Sequence, residues 1–108
     1  MKVMKTWGKE QPITEFNGIY LKELHIAAGS STSMHYHEEK VELFYVVDGE
    51  VVVHFETTQK LLSKREWILI EPNTEHSTEA VTDSIILEIG TTMFGDVTRV
   101  NGTLPAHE

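Results

Sequence analysis

Two runs of β-branched and aromatic residues meet at Asp48-Gly49, and no other feature narrows the possible folds of this chain as much. Residues 41–47 lead into the pair and residues 50–55 leave it. Strand formers on both sides of Asp-Gly predict a hairpin through a type I′ turn, in which both central residues take positive φ. The same two-residue period recurs elsewhere. Tyr20, Lys22, Leu24 and Ile26 share one face of an expected strand over residues 18–27, and Ile19, Leu21 and Glu23 share the other. Residues 67–70 form a short apolar strand that Pro72-Asn73 ends. Residues 75–81 and 84–89 flank a turn at Thr82-Asp83, residues 90–95 read as loop, and residues 97–100 read as a last short strand. No segment carries a convincing helical period. The one candidate, residues 57–64, is too short. Evenly spaced strands and turns predict an all-β sandwich or barrel. At 108 residues the chain is one domain, with a core barrel over about residues 18–100 and a frayed tail over residues 101–108.

Charge excludes several functions. The net charge is −8, from 17 acidic and 9 basic side chains. Nucleic acid and anionic membranes require basic patches, which this composition does not supply, so neither is expected as a partner. There is no cysteine, which removes disulfides, thiolate zinc sites and thiol nucleophiles. The longest apolar run, residues 43–47, is far short of a membrane span. Residues 1–10 alternate lysine with apolar residues and lack the apolar stretch of a secretory signal. The expectation is a cytoplasmic protein.

The chemistry concentrates in histidine. Of six histidines, His35 and His37 form a His-x-His pair, and on a strand this spacing puts both rings on one face. Two inward imidazoles are poor core residues unless something satisfies their nitrogens, and a divalent metal does so. Glu42, five residues beyond His37, belongs to the opposite face of one continuous strand. It joins the pair only if the chain turns near the charged residues Glu38, Glu39 and Lys40. His76, after Pro72-Asn73, could close the shell from a neighbouring strand. A purely structural role for the cluster is the alternative.

The spacing Gly29, His35, His37, Glu42, Gly49 resembles the first signature motif of the cupin superfamily. The second motif is partial: its glycine–proline–glycine–histidine frame falls on Arg65, Glu71, Asn73 and His76, with Pro72 displaced by one and Ala80 at the usual asparagine. Asn73 tolerates the left-handed region better than most residues. The resemblance implies a double-stranded β-helix, or jelly-roll cupin barrel, in which His35, His37, Glu42 and His76 hold one divalent transition metal and leave two octahedral positions open. Nitrogen and oxygen donors suit Fe, Mn, Ni, Co or Zn alike. The resemblance also implies a homodimer, since such barrels pair through outer strands.

A finer likeness concerns substrate. Lys5-Thr6-Trp7-Gly8-Lys9-Glu10 is similar to the opening of cupins related to bacterial mannose-6-phosphate isomerase domains, and residues 20–26 and 95–100 are similar to theirs as well. This implies a small carbohydrate or sugar-phosphate ligand and an isomerase or epimerase reaction through an enediol. His54, Lys40 and Glu38 are the candidate general bases or acids; Tyr36, between the two histidines, is read as packing. Arg99, Lys22 and Tyr45 are the candidate substrate-binding residues, with Lys5, Lys22 and Arg99 as possible phosphate partners. Trp7 is expected to cover a barrel edge or a dimer seam. Two other readings remain open: an iron-dependent dioxygenase, which would want an apolar, aromatic-lined pocket, and a non-catalytic carbohydrate-binding or sensing barrel.

Overall fold

The computed structural model describes residues 2–91 and the backbone of residues 98–99. Eleven strands run in chain order: β1 Val3–Lys5, β2 Gly8–Phe16, β3 Ile19–Ile26, β4 His35–Tyr36, β5 Glu42–Asp48, β6 Glu50–Phe55, β7 Gln59–Ser63, β8 Trp67–Ile70, β9 His76–Ala80, β10 Ser84–Thr91 and β11 Thr98–Arg99. There is no helix among the described residues, and none is long and apolar enough to cross a membrane. A six-stranded sheet in the order β1-β2-β3-β10-β5-β8 faces a five-stranded sheet in the order β11-β4-β9-β6-β7. Every pairing is antiparallel. This is the double-stranded β-helix expected from the sequence.

The alternation of strand residues sets what faces in. Glu42, Phe44 and Val46 of β5, Val51 and Val53 of β6, and Ile86 and Glu88 of β10 are buried between the sheets. Leu24, Ile26, Leu62, Ile70, Ala80 and Trp7 complete one apolar cluster. Burying each large side chain of this kind contributes about 1.5–3 kcal/mol. Trp7 does not cover an edge: only 1% of it is exposed, and it is part of the core.

The hairpin expected at Asp48-Gly49 is not formed. β5 pairs with β8 and β10, whereas β6 pairs with β7 and β9. The pair is instead the corner at which the chain leaves one sheet for the other. Only Gly49 has positive φ (89°), and a Cβ there would collide with Ser84 Oγ and the Asp83 carbonyl. Thr82-Asp83 is a second such corner, between β9 and β10. A hairpin with both central residues at positive φ does occur, at Asn17 (49°) and Gly18 (75°), joining β2 to β3 through the Phe16–Ile19 pair. The sequence predicts no strand before residue 18, where β1 and β2 lie, and none over residues 57–64, where β7 forms. It also placed residues 90–91 in a loop, whereas β10 includes them. The last strand read over residues 97–100 corresponds to β11; residues 92–97 and 100–108, including the tail, lie outside the described residues.

Two positions of the second motif keep the geometry of the glycines they stand in for. Arg65 has φ 73° and Asn73 has φ 62°. A non-glycine residue in this region costs about 1–2 kcal/mol, offset by the greater freedom glycine loses on folding. Arg65 holds its place through its backbone, its N–H donating to the Val46 carbonyl at 2.8 Å. Arg65→Gly is therefore expected to raise stability by about 0.5–1 kcal/mol, read as a higher urea midpoint at unchanged slope.

Candidate metal centre

His35, His37, Glu42 and His76 converge, all four buried, with one ligand atom from each lying within 4.8 Å of the others. Topology explains the meeting. His35 on β4 and His76 on β9 are register partners in the five-stranded sheet. Glu42 opens β5 in the other sheet. Between them Glu38 and Glu39 form a bend, which supplies the change of direction that the odd spacing requires. His37 lies just past the end of β4, where its carbonyl accepts from the Asn73 N–H at 2.6 Å. That contact ties the His-x-His segment to the left-handed turn preceding His76.

The rings are oriented from behind. His35 Nδ1–H donates to the Ser33 carbonyl and His76 Nδ1–H to the Thr74 carbonyl, each at 2.7 Å. A carbonyl can only accept, so in each neutral ring Nε2 carries the lone pair. Ring centroids lie 4.4 Å apart for His35–His76, 5.0 Å for His35–His37 and 5.9 Å for His37–His76. Glu42 Oε1 stands 3.1 Å from His37 Nε2 and 3.4 Å from His76 Nε2. At His76 a lone pair faces a carboxylate oxygen, which needs positive charge between them. Three buried imidazolium ions would be a costly way to provide it, whereas one divalent ion serves all four donors. Donors about 2.1 Å from an ion in neighbouring octahedral positions are about 3.0 Å apart, and opposite ones about 4.2 Å. The observed separations are on that scale, so the residues fit a divalent metal.

Behind Glu42 lies a run of inward charges. Glu42 Oε2 is 3.6 Å from Lys40 Nζ, and Lys40 Nζ is 3.8 Å from Glu88 Oε2. Lys22 Nζ is 3.8 Å from the same Glu88 oxygen and donates to Glu10 Oε1 at 2.9 Å, and Lys5 Nζ is 3.4 Å from Glu10 Oε2. Tyr20 donates its hydroxyl proton to Glu88, and its ring lies 4.9 Å from Lys40 Nζ and 5.5 Å from Lys22 Nζ. Gly90 makes room for that ring, since a Cβ there would lie 2.6 Å from the Tyr20 hydroxyl. Burial would raise the Glu42 carboxyl, but the His37 and His76 rings beside it and the Lys40 charge hold it well below the usual range. Burial pushes Glu88 well above that range and the Glu42 charge adds to it, against the pull of Lys22 and Lys40.

The other expected site residues divide. Lys40 is at the cluster. Lys22 faces the same interior, but its ammonium, like that of Lys5, is engaged by buried carboxylates rather than offered to a phosphate. Glu38 is exposed on the bend. His54 lies on the outer face of β6, opposite in phase to Val51 and Val53, where its Nε2 meets Glu79 Oε1 at 2.8 Å. Tyr45 alternates with inward Phe44 and Val46, so it faces outward beside Trp67 and Leu87. His54 and Tyr45 therefore point away from the interior that holds His35, His37, Glu42 and His76, and Glu38 is exposed beside it. The Arg99 backbone pairs with His35 in β11; its side chain lies outside the described residues. Sequence reasoning missed Glu88, Tyr20 and Glu10. Tyr20 had a signal, since it shares the phase of Leu24 and Ile26.

Comparison with known proteins accords with this geometry. Residues 22–91 match the Cupin domain family. No curated protein matches the chain in sequence. Among solved structures, KdgF from Halomonas sp. superposes with a TM-score of 0.75 at 20% identity, covering 82% of this chain and 81% of that one. An RmlC-like cupin from Shewanella frigidimarina gives 0.73 at 20% identity, covering 82% and 78%. An uncharacterised conserved protein with a double-stranded β-helix domain from Klebsiella pneumoniae gives 0.72 at 16% identity, covering 84% and 85%.

Proposed function

The chain belongs to the cupin domain family, and on that premise we propose that it binds one divalent transition metal through His35, His37, Glu42 and His76 and isomerises or epimerises a small sugar or sugar phosphate. The observation that carries the choice of substrate is the polar wall beside the ligands. Lys40, Tyr20, Glu88 and Lys22 line the interior next to Glu42, whereas a dioxygenase of an apolar substrate would want aromatic side chains there. Of the aromatics available, Phe44 is inward, 6.0 Å from the His76 ring, and Phe55, the register partner of His76, packs against the core, while Tyr45 and Trp67 face out. Similarity of residues 5–10 and 20–26 to sugar-directed cupins supports the same reading.

A divalent metal held by His35, His37, Glu42 and His76 would supply Lewis acidity toward a substrate carbonyl. The proton on the adjacent carbon leaves to a protein group and returns to the neighbouring carbon, with the hydroxyl proton passing between the two oxygens, in an isomerisation, or to the opposite face of the same carbon in an epimerisation, so no oxidant or reductant is consumed. Lys40 and the hydrogen-bonded Tyr20–Glu88 pair stand on the wall from which such a group would act; His54 and Glu38 do not. Trp67 and Leu69, 59% and 46% exposed on edge strand β8, provide apolar surface that a homodimer would cover.

The test is a screen of aldoses, ketoses and their phosphates with Mn²⁺-loaded protein in deuterated water. Deuterium is expected at the carbon beside the carbonyl of one substrate. Oxygen uptake with iron alone would support the dioxygenase instead, and calorimetric sugar binding without exchange would support a binding barrel.

A further inference from the structure

The two oxygens of Glu42 have different surroundings. Oε1 points into the histidine cluster, 3.1 Å from His37 Nε2 and 3.4 Å from His76 Nε2. Oε2 points away from it, toward Lys40 Nζ at 3.6 Å. Lys40 Nζ also lies 3.8 Å from Glu88 Oε2 and 4.9 Å from the centre of the Tyr20 ring, and the Glu88 carboxyl is itself close enough to Glu42 to interact with it. Its side chain is only 13% exposed, so solvent screens these contacts weakly.

We propose that Lys40 is a positioning residue of the metal centre: it holds Glu42 Oε2 and so makes the carboxylate a one-oxygen ligand with its free oxygen already committed. The inference rests on the reading of the four residues as a metal site and adds a role for a fifth. A carboxylate free to turn can offer an ion both oxygens, filling a second coordination position. With Oε2 held by the ammonium, Glu42 fills one position and leaves the neighbouring one for substrate oxygen. Glu88 completes the device, because an ammonium within ion-pair distance of two carboxyls is fixed by two contacts rather than one. Groups behind a metal ligand commonly change metal affinity 10–100-fold when removed. Along the series Lys5–Glu10–Lys22–Glu88–Lys40–Glu42 each lysine has a carboxyl partner within 4 Å.

Co²⁺ titration of the full chain tests this, followed by calorimetry and by the visible d–d bands, which report coordination number and geometry. Lys40→Met keeps most of the volume and removes the charge. It is expected to weaken Co²⁺ binding about 10–100-fold and to shift the d–d bands, with Lys40→Arg restoring most of both. Glu88→Gln is expected to weaken binding in the same direction by less. The double variant Lys40→Met/Glu88→Gln is expected to match Lys40→Met rather than sum the two losses, because both act through one contact. Circular dichroism identifies variants that fail to fold, and Lys40→Arg or Glu88→Gln then carries the test. If Lys40→Met binds Co²⁺ within twofold of the parent with unaltered bands, while His37→Ala has lost the ion, the positioning role is overturned and the metal site stands. If the parent chain binds no Co²⁺, both fail.

Discussion

Purified His37→Ala protein is expected to carry under about a tenth of an ion per chain where the parent carries about one, read by plasma emission on untagged protein. His37 is the cleanest ligand to remove, since it lies outside the regular strands and the alanine backbone can keep its contact with Asn73. The loss should also show in stability. A ligand that binds only the folded chain stabilises it by about 2.7 kcal/mol at a hundredfold excess over its dissociation constant. For a domain of this size that is a melting shift of about 10 °C. Added Mn²⁺ or Zn²⁺ should therefore raise the melting temperature of the parent and leave His37→Ala almost unmoved. Without metal, the two should melt close together, because alanine removes a buried ring whose Nε2 faces Glu42 Oε1 at 3.1 Å. Equal metal content in the two proteins would dispose of the site.

How much of this was legible in the sequence depended on whether one strand or two sheets governed a residue. The strands at 19–26, 42–48 and 67–70 were readable because alternation is a property of a single strand. The convergence of His35, His37, Glu42 and His76 was readable because motif spacing encodes the bend at Glu38 and Glu39 as well as the strands on either side. Asp48-Gly49 was misread because a local signal for reversal does not say whether the next strand pairs with the last or crosses to the facing sheet. The distinction is set by β8 and β10, which claim both edges of β5. Residues 8–16 were missed as strand because the one buried residue of β2 is the charged Glu10, and its later half is exposed. Glu88 was missed for the opposite reason. Ile85, Leu87 and Ile89 on one face and Ile86 on the other make both faces of β10 apolar, so no phase marks the single carboxylate as inward. His54 and Tyr45 were placed by residue type alone, and phase with Val53 and Phe44 would have sent both outward.

Trp7 supplies the largest expected stability change in the molecule. It is almost fully buried in the core with Leu24 and Ile26, so Trp7→Ala is expected to cost about 3–5 kcal/mol and to lower the melting temperature by roughly 15 °C. Trp7→Phe should cost much less. The indole Nε1 has no hydrogen-bond partner among the described residues, so replacing it forfeits volume and gives up no polar contact. The distinction from the role expected at a dimer seam is measurable. A seam residue makes the melting temperature depend on protein concentration and costs little in the isolated chain, whereas a core residue gives the same large loss at every concentration. Fluorescence separates the two tryptophans independently: acrylamide should quench Trp67, 59% exposed, and spare Trp7. The consequence reaches the site through β3. Trp7 packs in the cluster with Leu24 and Ile26, and the same face of β3 presents Tyr20 and Lys22 to Glu88. A cavity at Trp7 should therefore loosen the far end of the charge series while leaving the histidines, on the opposite sheet and its exit loop, in place. Metal content should survive in the folded fraction of Trp7→Ala even as its stability falls.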